Sequence, residues 1–278
     1  MNYLKPTFKI LPINSLEKTS HLLIEAGEEC ISFVYYSKHP LRIEAVLIYN
    51  FENNGSDVEM AKELSQFFMQ ESLPGFVYCN ICYNNKESIL QPSLFYKQNL
   101  LPSTLDALYG INTSASCYAE SIAGMDAHVT YRVDKRIEKE LKQRFPMAVT
   151  QHVLALQIPA FIKKQDLFYC IVYQRSIKVI LIKDQIVQLV QFFEYSTPAD
   201  TAYHLLNVCT QHGITPQEIT LMLSGFIDRK SNLYDELYRY FLNIEMDVPD
   251  AEVEITEAVS QYPLHFFFFF FSLAKCVS

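Results

Sequence analysis

The chain has 278 residues, half of them hydrophobic and 19% charged, with a formal net charge of −8. That balance describes a folded globular protein with a sizeable core and excludes a disordered chain. It also argues against a nucleic-acid binder, because acidic and basic residues are interleaved and no basic face is dense enough to displace counterions.

The N-terminal stretch MNYLKPTFKILPINS carries no long apolar run and no small-residue cleavage site, so it does not read as a signal peptide. From His21 to Phe51, HLLIEAGEECISFVYYSKHPLRIEAVLIYNF predicts three strands joined by short turns. Ile31, Phe33 and Tyr35 alternate along the middle one. GSDVEMAKELSQFFMQES then predicts a helix, with Ser56 as N-cap and Glu59 three residues on completing a capping box. Val58, Ala61, Leu64 and Phe68 fall on its expected inner face. GFVYCNICY follows as one apolar strand. Its Cys79 and Cys82 have the spacing of a redox or zinc half-motif, but thiols three apart on a strand point to opposite faces. No second pair completes a zinc set. Seven scattered cysteines read as buried thiols in a reducing cytosol.

Between Asn84 and Asp126 a segment rich in Ser, Asn and Pro reads as an insert. KRIEKELKQR, from Lys135 to Arg144, is the densest basic run. Its glutamates sit among the bases at helical spacing, which predicts a solvated helix face. AVTQHVLALQIPAF closes this first half.

The second half repeats the pattern. DLFYCIVYQRSIKVILIKDQIVQLVQFFEY, from Asp166 to Tyr195, predicts three more strands, with Ile177, Val179 and Leu181 alternating in the middle. STPADTAYHLLNVCTQHG predicts a helix with Thr197 as N-cap, Pro198 at the first turn and Gly213 at the end. Ala199, Ala202, Leu206 and Cys209 are its expected inner face. ITLMLSGF is the following strand, and DELYRYF, from Asp235 to Phe241, matches KELKQRF, from Lys139 to Phe145, as an amphipathic helix. AVSQ then echoes AVTQ before six consecutive phenylalanines. From Leu264 to Ala274 there are about eleven residues, too few for a bilayer that needs roughly 20, so this run predicts a buried helix.

Three meandering strands, a helix, a strand, a helix and a strand, given twice, resemble the ribonuclease H-like fold. The duplication resembles the actin-like ATPase superfamily. The expectation is an α/β protein of two such halves, residues 1–163 with an insert around 84–126, and residues 164–278. YPLH, FFEYSTPADTAYHLL and LMLSGFID also resemble a bacterial family of unknown function with an actin-like ATPase fold.

That resemblance implies where a nucleotide would bind. Superfamily members hold phosphates in two hairpin turns, each an acidic residue, then Gly, then a hydroxyl or amide donor. In IEAGEEC, Glu25 and Gly27 take the first two places, but Glu28 and Glu29 follow where a donor is needed and would repel phosphate. VYQRSI, the second turn, has neither the acid nor the glycine. The adenosine strand implies a glycine pair, and LMLSGF keeps Ser224 and Gly225 before Phe226.

No GxSxG, Walker loop, HExxH or GxGxxG occurs. His39, His128, His152, His204, His212 and His265 are spread singly, and Asp134, Asp200 and Glu194 show no nucleophile or metal partner. The resemblance, with its eroded turns, thus implies a cytoplasmic, catalytically degenerate actin-like protein acting as an interaction or assembly module. The resemblance supplies precedent, since assembly factors of pili and type II secretion systems keep the fold with eroded sites. The expected partner is a protein, with no nucleic acid, no membrane insertion and no cofactor, in a monomer or homodimer. The alternative is a divergent ATPase or kinase that uses ATP and Mg²⁺ through Glu25, Gly27, Ser224 and Gly225.

Overall fold

The computed structural model describes residues 4–277 apart from 13–15, 17–18, 52–56, 164–165 and 250–251. The chain divides into two compact units. One comprises Met1–Pro159, Ala251–Gln261 and Leu273–Ser278, the other Ala160–Asp250 and Tyr262–Ser272.

In the first unit β1 (Lys5–Ile10) precedes the meander β2 (His21–Gly27), β3 (Cys30–Ser37) and β4 (Arg42–Asn50). The meander pairs antiparallel, and β1 adds to the free edge of β4. β-branched and aromatic residues fill β3 on both faces, and seven of its eight residues are buried. Helix α1 (Asp57–Gln70) carries the chain to β5 (Tyr78–Asn84), which lies parallel to β2. Its expected cap, Ser56, lies outside the described residues. Phe67 of α1 packs on Phe33 and Tyr49, with ring centroids 5.7 and 4.6 Å away.

The insert builds its own sheet. β6 (Ser88–Pro92), α2 (Leu101–Tyr109), β7 (Ala115–Ser121) and β8 (Ala127–Asp134) give three strands in the order β6-β8-β7. It therefore runs past the expected end near 126, to Asp134. Helix α3 (Lys135–Arg144) is the helix expected from KRIEKELKQR. β9 (Val149–His152) then pairs parallel to β5, and α4 (Val153–Ile162) follows. The first sheet reads β1-β4-β3-β2-β5-β9.

In the second unit β10 (Leu167–Val172), β11 (Ser176–Lys183) and β12 (Ile186–Glu194) meander antiparallel. Helix α5 (Pro198–Gln211) starts at Thr197, whose hydroxyl accepts from the Asp200 N–H while the Asp200 carboxylate accepts from the Thr197 N–H. It ends at Gly213, with φ 62°. β13 (Thr220–Gly225), α6 (Asn232–Tyr238) and β14 (Asn243–Met246) complete the sheet β12-β11-β10-β13-β14. Its order and strand senses are those of β4-β3-β2-β5-β9 in the first unit. Alternate residues of β10 and β11 (Phe168, Cys170, Val172, Ile177, Val179, Leu181) form the core with α5 and α6.

The chain then returns to the first sheet. β15 (Glu254–Ile255) pairs parallel with β4, and α7 (Glu257–Ser260) follows. This corrects one expected correspondence: AVTQ contributes the strand β9, whereas AVSQ lies in and just after α7. The strand in the place of β9 is β14. A four-residue match fixes neither backbone conformation nor pairing. The phenylalanine run forms a 3₁₀ turn, Leu264–Phe266, then α8 (Phe268–Val277). Phe267, Phe268, Phe269, Phe270 and Phe271 are each at most 6% exposed. Among the described residues no helix is long and apolar enough to cross a membrane.

Candidate functional site

The turn between β2 and β3 brings Glu25, Gly27, Glu28 and Glu29 together within the first unit. Glu25 is 1% exposed. Its Oε1 accepts from Asn84 Nδ2 at 2.6 Å, and its Oε2 accepts from Ser32 Oγ at 3.4 Å. Both carboxylate oxygens thus serve the sheet. Gly27 and Glu28 instead line a pocket of about 290 Å³, with Asp57, Tyr83, Lys86 and Asp134. A Cβ on Gly27 would come no closer than 3.4 Å to the Cys30 carbonyl, so packing alone does not demand glycine there.

The pocket is acidic. Glu28 Oε1 accepts from the Lys86 N–H at 2.8 Å, and Lys86 Nζ lies 3.9 Å from Glu28 and 3.8 Å from Glu29. Burial pushes the Glu28 carboxyl up despite that lysine. Asp57, in the first turn of α1, is also pushed up, by burial first and by the facing Asp134 second. Burial pushes Asp134 up as well, but the Arg136 guanidinium and the Arg136 N–H outweigh it and hold Asp134 below the ordinary range. Asp134 caps α3, accepting from the backbone N–H groups of Arg136 at 2.8 Å and Ile137 at 3.4 Å. Arg136 also grips it side-on, through Nε at 2.9 Å and Nη2 at 2.6 Å. Arg132, 2% exposed, also lines the pocket and donates to Glu87 at 3.2 Å, to the Gly110 carbonyl at 2.9 Å and to Asp106. A polyphosphate at this turn would meet the carboxyl groups of Glu28, Asp57 and Asp134.

In the second unit the turn between β10 and β11 is closed. The Tyr173 N–H donates to the Ser176 carbonyl at 2.8 Å, and the Tyr195 hydroxyl donates to the Tyr173 carbonyl at 2.8 Å. The buried Tyr173 ring packs against Phe269, centroids 5.7 Å apart. Ser224 is fully buried, and its Oγ donates to the His265 carbonyl at 2.9 Å. His265 in turn donates from Nε2 to the Ile227 carbonyl at 2.7 Å, a satisfied core histidine. Gly225 has φ 83° and lies against Val172, whose carbonyl accepts from the Phe226 N–H at 2.8 Å. Packing explains this glycine without a ligand.

Among the described residues no group of three or more His, Cys, Asp or Glu side chains could hold a metal ion. Glu25 and Gly27 lie at the β2–β3 turn, as expected from the sequence, whereas Asp57, Tyr83 and Lys86 were not expected beside it and Asp134 was read only as an acid without a partner. The signals for two of them were local: an acid in the first turn of α1 and an acid just before α3.

A family model described as "Protein of unknown function (DUF3822)" matches residues 13–244. The chain belongs to that family. No curated protein matches it. A Bacteroides thetaiotaomicron protein with actin-like ATPase fold and unknown function is similar over 93% of this chain and 96% of its own, at 17% identity and TM-score 0.74. A chain of the PilM–PilN type IV pilus biogenesis complex is similar over 93% and 98%, at 12% identity and TM-score 0.60. The ethanolamine utilization protein EutJ from Carboxydothermus hydrogenoformans is similar over 95% and 92%, at 10% identity and TM-score 0.51. Together with the strand order, these likenesses give the DUF3822 chain the actin-like ATPase fold.

Proposed function

We propose that the protein is a cytoplasmic, catalytically degenerate actin-like protein that works through contacts with a protein partner, as an interaction or assembly module. The observation that carries this reading is the β2–β3 turn, where Glu28 and Glu29 stand where phosphate donors would be needed and Glu25 is spent on Asn84 and Ser32. Tyr173 in the second turn and the engaged Ser224 hydroxyl support it. Catalysis of phosphoryl transfer rests on preorganised donors around the phosphates, and the carboxyl groups of Glu28 and Glu29 in the first turn and the lack of an acid and a glycine in the second argue against such a set. The likeness to a chain of a pilus biogenesis complex supports a partner-binding use of the fold. One strand order in both sheets supports an internal duplication. Seven cysteines outside any disulfide support a reducing compartment.

The test pairs two assays on the full chain. Phosphate release from Mg-ATP should stay at background, and a partner recovered from the native cells should bind at fixed stoichiometry when both are purified. Turnover that disappears in Glu25→Gln would overturn the reading and favour a divergent ATPase.

A further inference from the structure

β12 holds the place in the second sheet that β4 holds in the first, and both are nine residues long. They are covered very differently. Seven of the nine residues of β4 are buried, and its outer edge pairs with β1 and β15. No residue of β12 is buried, although six of the nine are apolar (Ile186, Val187, Leu189, Val190, Phe192 and Phe193). Among the described residues no strand pairs with its outer edge.

That edge keeps backbone groups aimed at a neighbour. The Tyr195 N–H donates to the Arg175 carbonyl at 3.0 Å. Alternation from there turns Phe193, Gln191 and Leu189 towards β11 and points the N–H and C=O of Phe192 and Val190 outward. The Phe192 carbonyl accepts from the Gln191 side-chain amide at 3.2 Å, a stand-in for a strand donor. The Glu194 carbonyl is engaged by His204 Nε2 at 3.1 Å, so the edge available for pairing runs from Ile186 to Phe193. Folded proteins usually guard a free edge with lysine, proline or a short strand. β1 carries Lys5, Pro6 and Lys9, and β14 is four residues long with Glu245 among them. β12 has neither lysine nor proline, and its one charge, Glu194, stands at its end.

We propose that β12 is the pairing edge of a homodimer, in which β12 of a second copy lies antiparallel along it and joins two five-stranded sheets into one. The first unit shows the mode, since β1 adds antiparallel to the same edge of β4. The charge pattern fits a second copy. A two-fold axis at Val190 sets the Glu194 end of each strand beside the Ile186 end of the other. The centre of the pair is then apolar or amide throughout, and no like charges are opposed. Such an isologous pair closes at two copies, which spares an unguarded edge from open-ended aggregation. The inference does not rest on the proposed function.

The test is the mass of the full chain in solution, by sedimentation equilibrium across the micromolar range. A reversible dimer is expected, and salt should not weaken it, because backbone and apolar contacts hold it. Val190→Lys puts like charges face to face at the axis and should weaken the dimer about tenfold or more. Gln191→Lys should do the same, and because Gln191 is exposed it reads association even where Val190→Lys misfolds. Leu94→Lys, at an exposed apolar residue of the insert, should leave the dimer intact. A chain that stays monomeric would overturn the inference, even one whose β12 takes a strand from another protein. So would a dimer that both β12 variants leave intact, a dimer that Leu94→Lys breaks, or species that grow without limit.

Discussion

Gly225 offers a direct way to separate a packing glycine from a ligand-binding one. A Cβ added there would lie 2.2 Å from the Val172 carbonyl oxygen, 2.9 Å from its nitrogen and 3.0 Å from its carbonyl carbon. Those are backbone atoms of a central strand, so no side-chain rotation relieves the clash. Gly213, in the same unit, has φ 62° but nothing within 4 Å of the added Cβ. Gly213→Ala should therefore pay only for the left-handed backbone, about 1–2 kcal/mol. Gly225→Ala carries that cost plus overpacking of about 1–3 kcal/mol, for a total of about 2–5 kcal/mol. Each kcal/mol lowers the melting temperature of a domain of 60–100 residues, about the size of this unit, by about 4–8 °C. Calorimetry of the two variants beside the native chain reads the difference. Gly225→Ala should melt several degrees below Gly213→Ala. A Gly225→Ala variant no less stable than Gly213→Ala would refute the clash and return Gly225 to the list of candidate ligand contacts.

Phe270 is fully buried in the phenylalanine run, and Phe270→Ala should cost about 3–5 kcal/mol in a denaturant melt; a loss below 1 kcal/mol would show that the helix is not core. Thr197→Ala removes the cap of α5 and should cost about 1 kcal/mol, with a melt unchanged within error counting against the capping box. Glu28 has its folded pKa raised, so the stability it contributes is full below the ordinary glutamate range and is lost as pH rises through the folded value. Glu28→Gln, neutral at all pH, should therefore raise the melting temperature at pH 7 more than at pH 4. A larger gain at pH 4 would contradict the burial assigned to that carboxyl.

The strands of both meanders were legible because β-branched and aromatic residues alternate or run unbroken between short turns. The helices were legible too, and so was part of each inner face: Ala61 and Leu64 of α1 and Ala202 and Cys209 of α5 are buried as expected. In α1 Val58 is exposed and Phe68 only half-buried, while Met60, Glu63 and Phe67 are buried. In α5 Ala199 is exposed, while Thr201, Leu205 and Val208 are buried. Each helix carries more apolar positions than one stripe holds, so periodicity fixed the helix and left its rotation open. β1 and β15 escaped notice because both are short and pair with β4 from far along the chain. The insert's Ser, Asn and Pro hid β6 and β7. At the site, Glu25 and Gly27 fell on the expected turn, but their surroundings did not show. Asn84 reaches Glu25 from β5, and the His265 carbonyl takes up Ser224 from 41 residues away. Asp134 and Asp200 looked partnerless in one dimension, and both turn out to bind helix N-termini.

The central claim is that this fold operates here without a nucleotide in its phosphate turns. A thermal-shift titration of the full chain with Mg-ATP tests it most directly, since a ligand at 100 times its Kd adds about 2.7 kcal/mol of stability. The predicted result is a melting temperature that does not move through millimolar Mg-ATP. A saturable rise with Mg-ATP that is lost in Glu25→Gln would contradict the account.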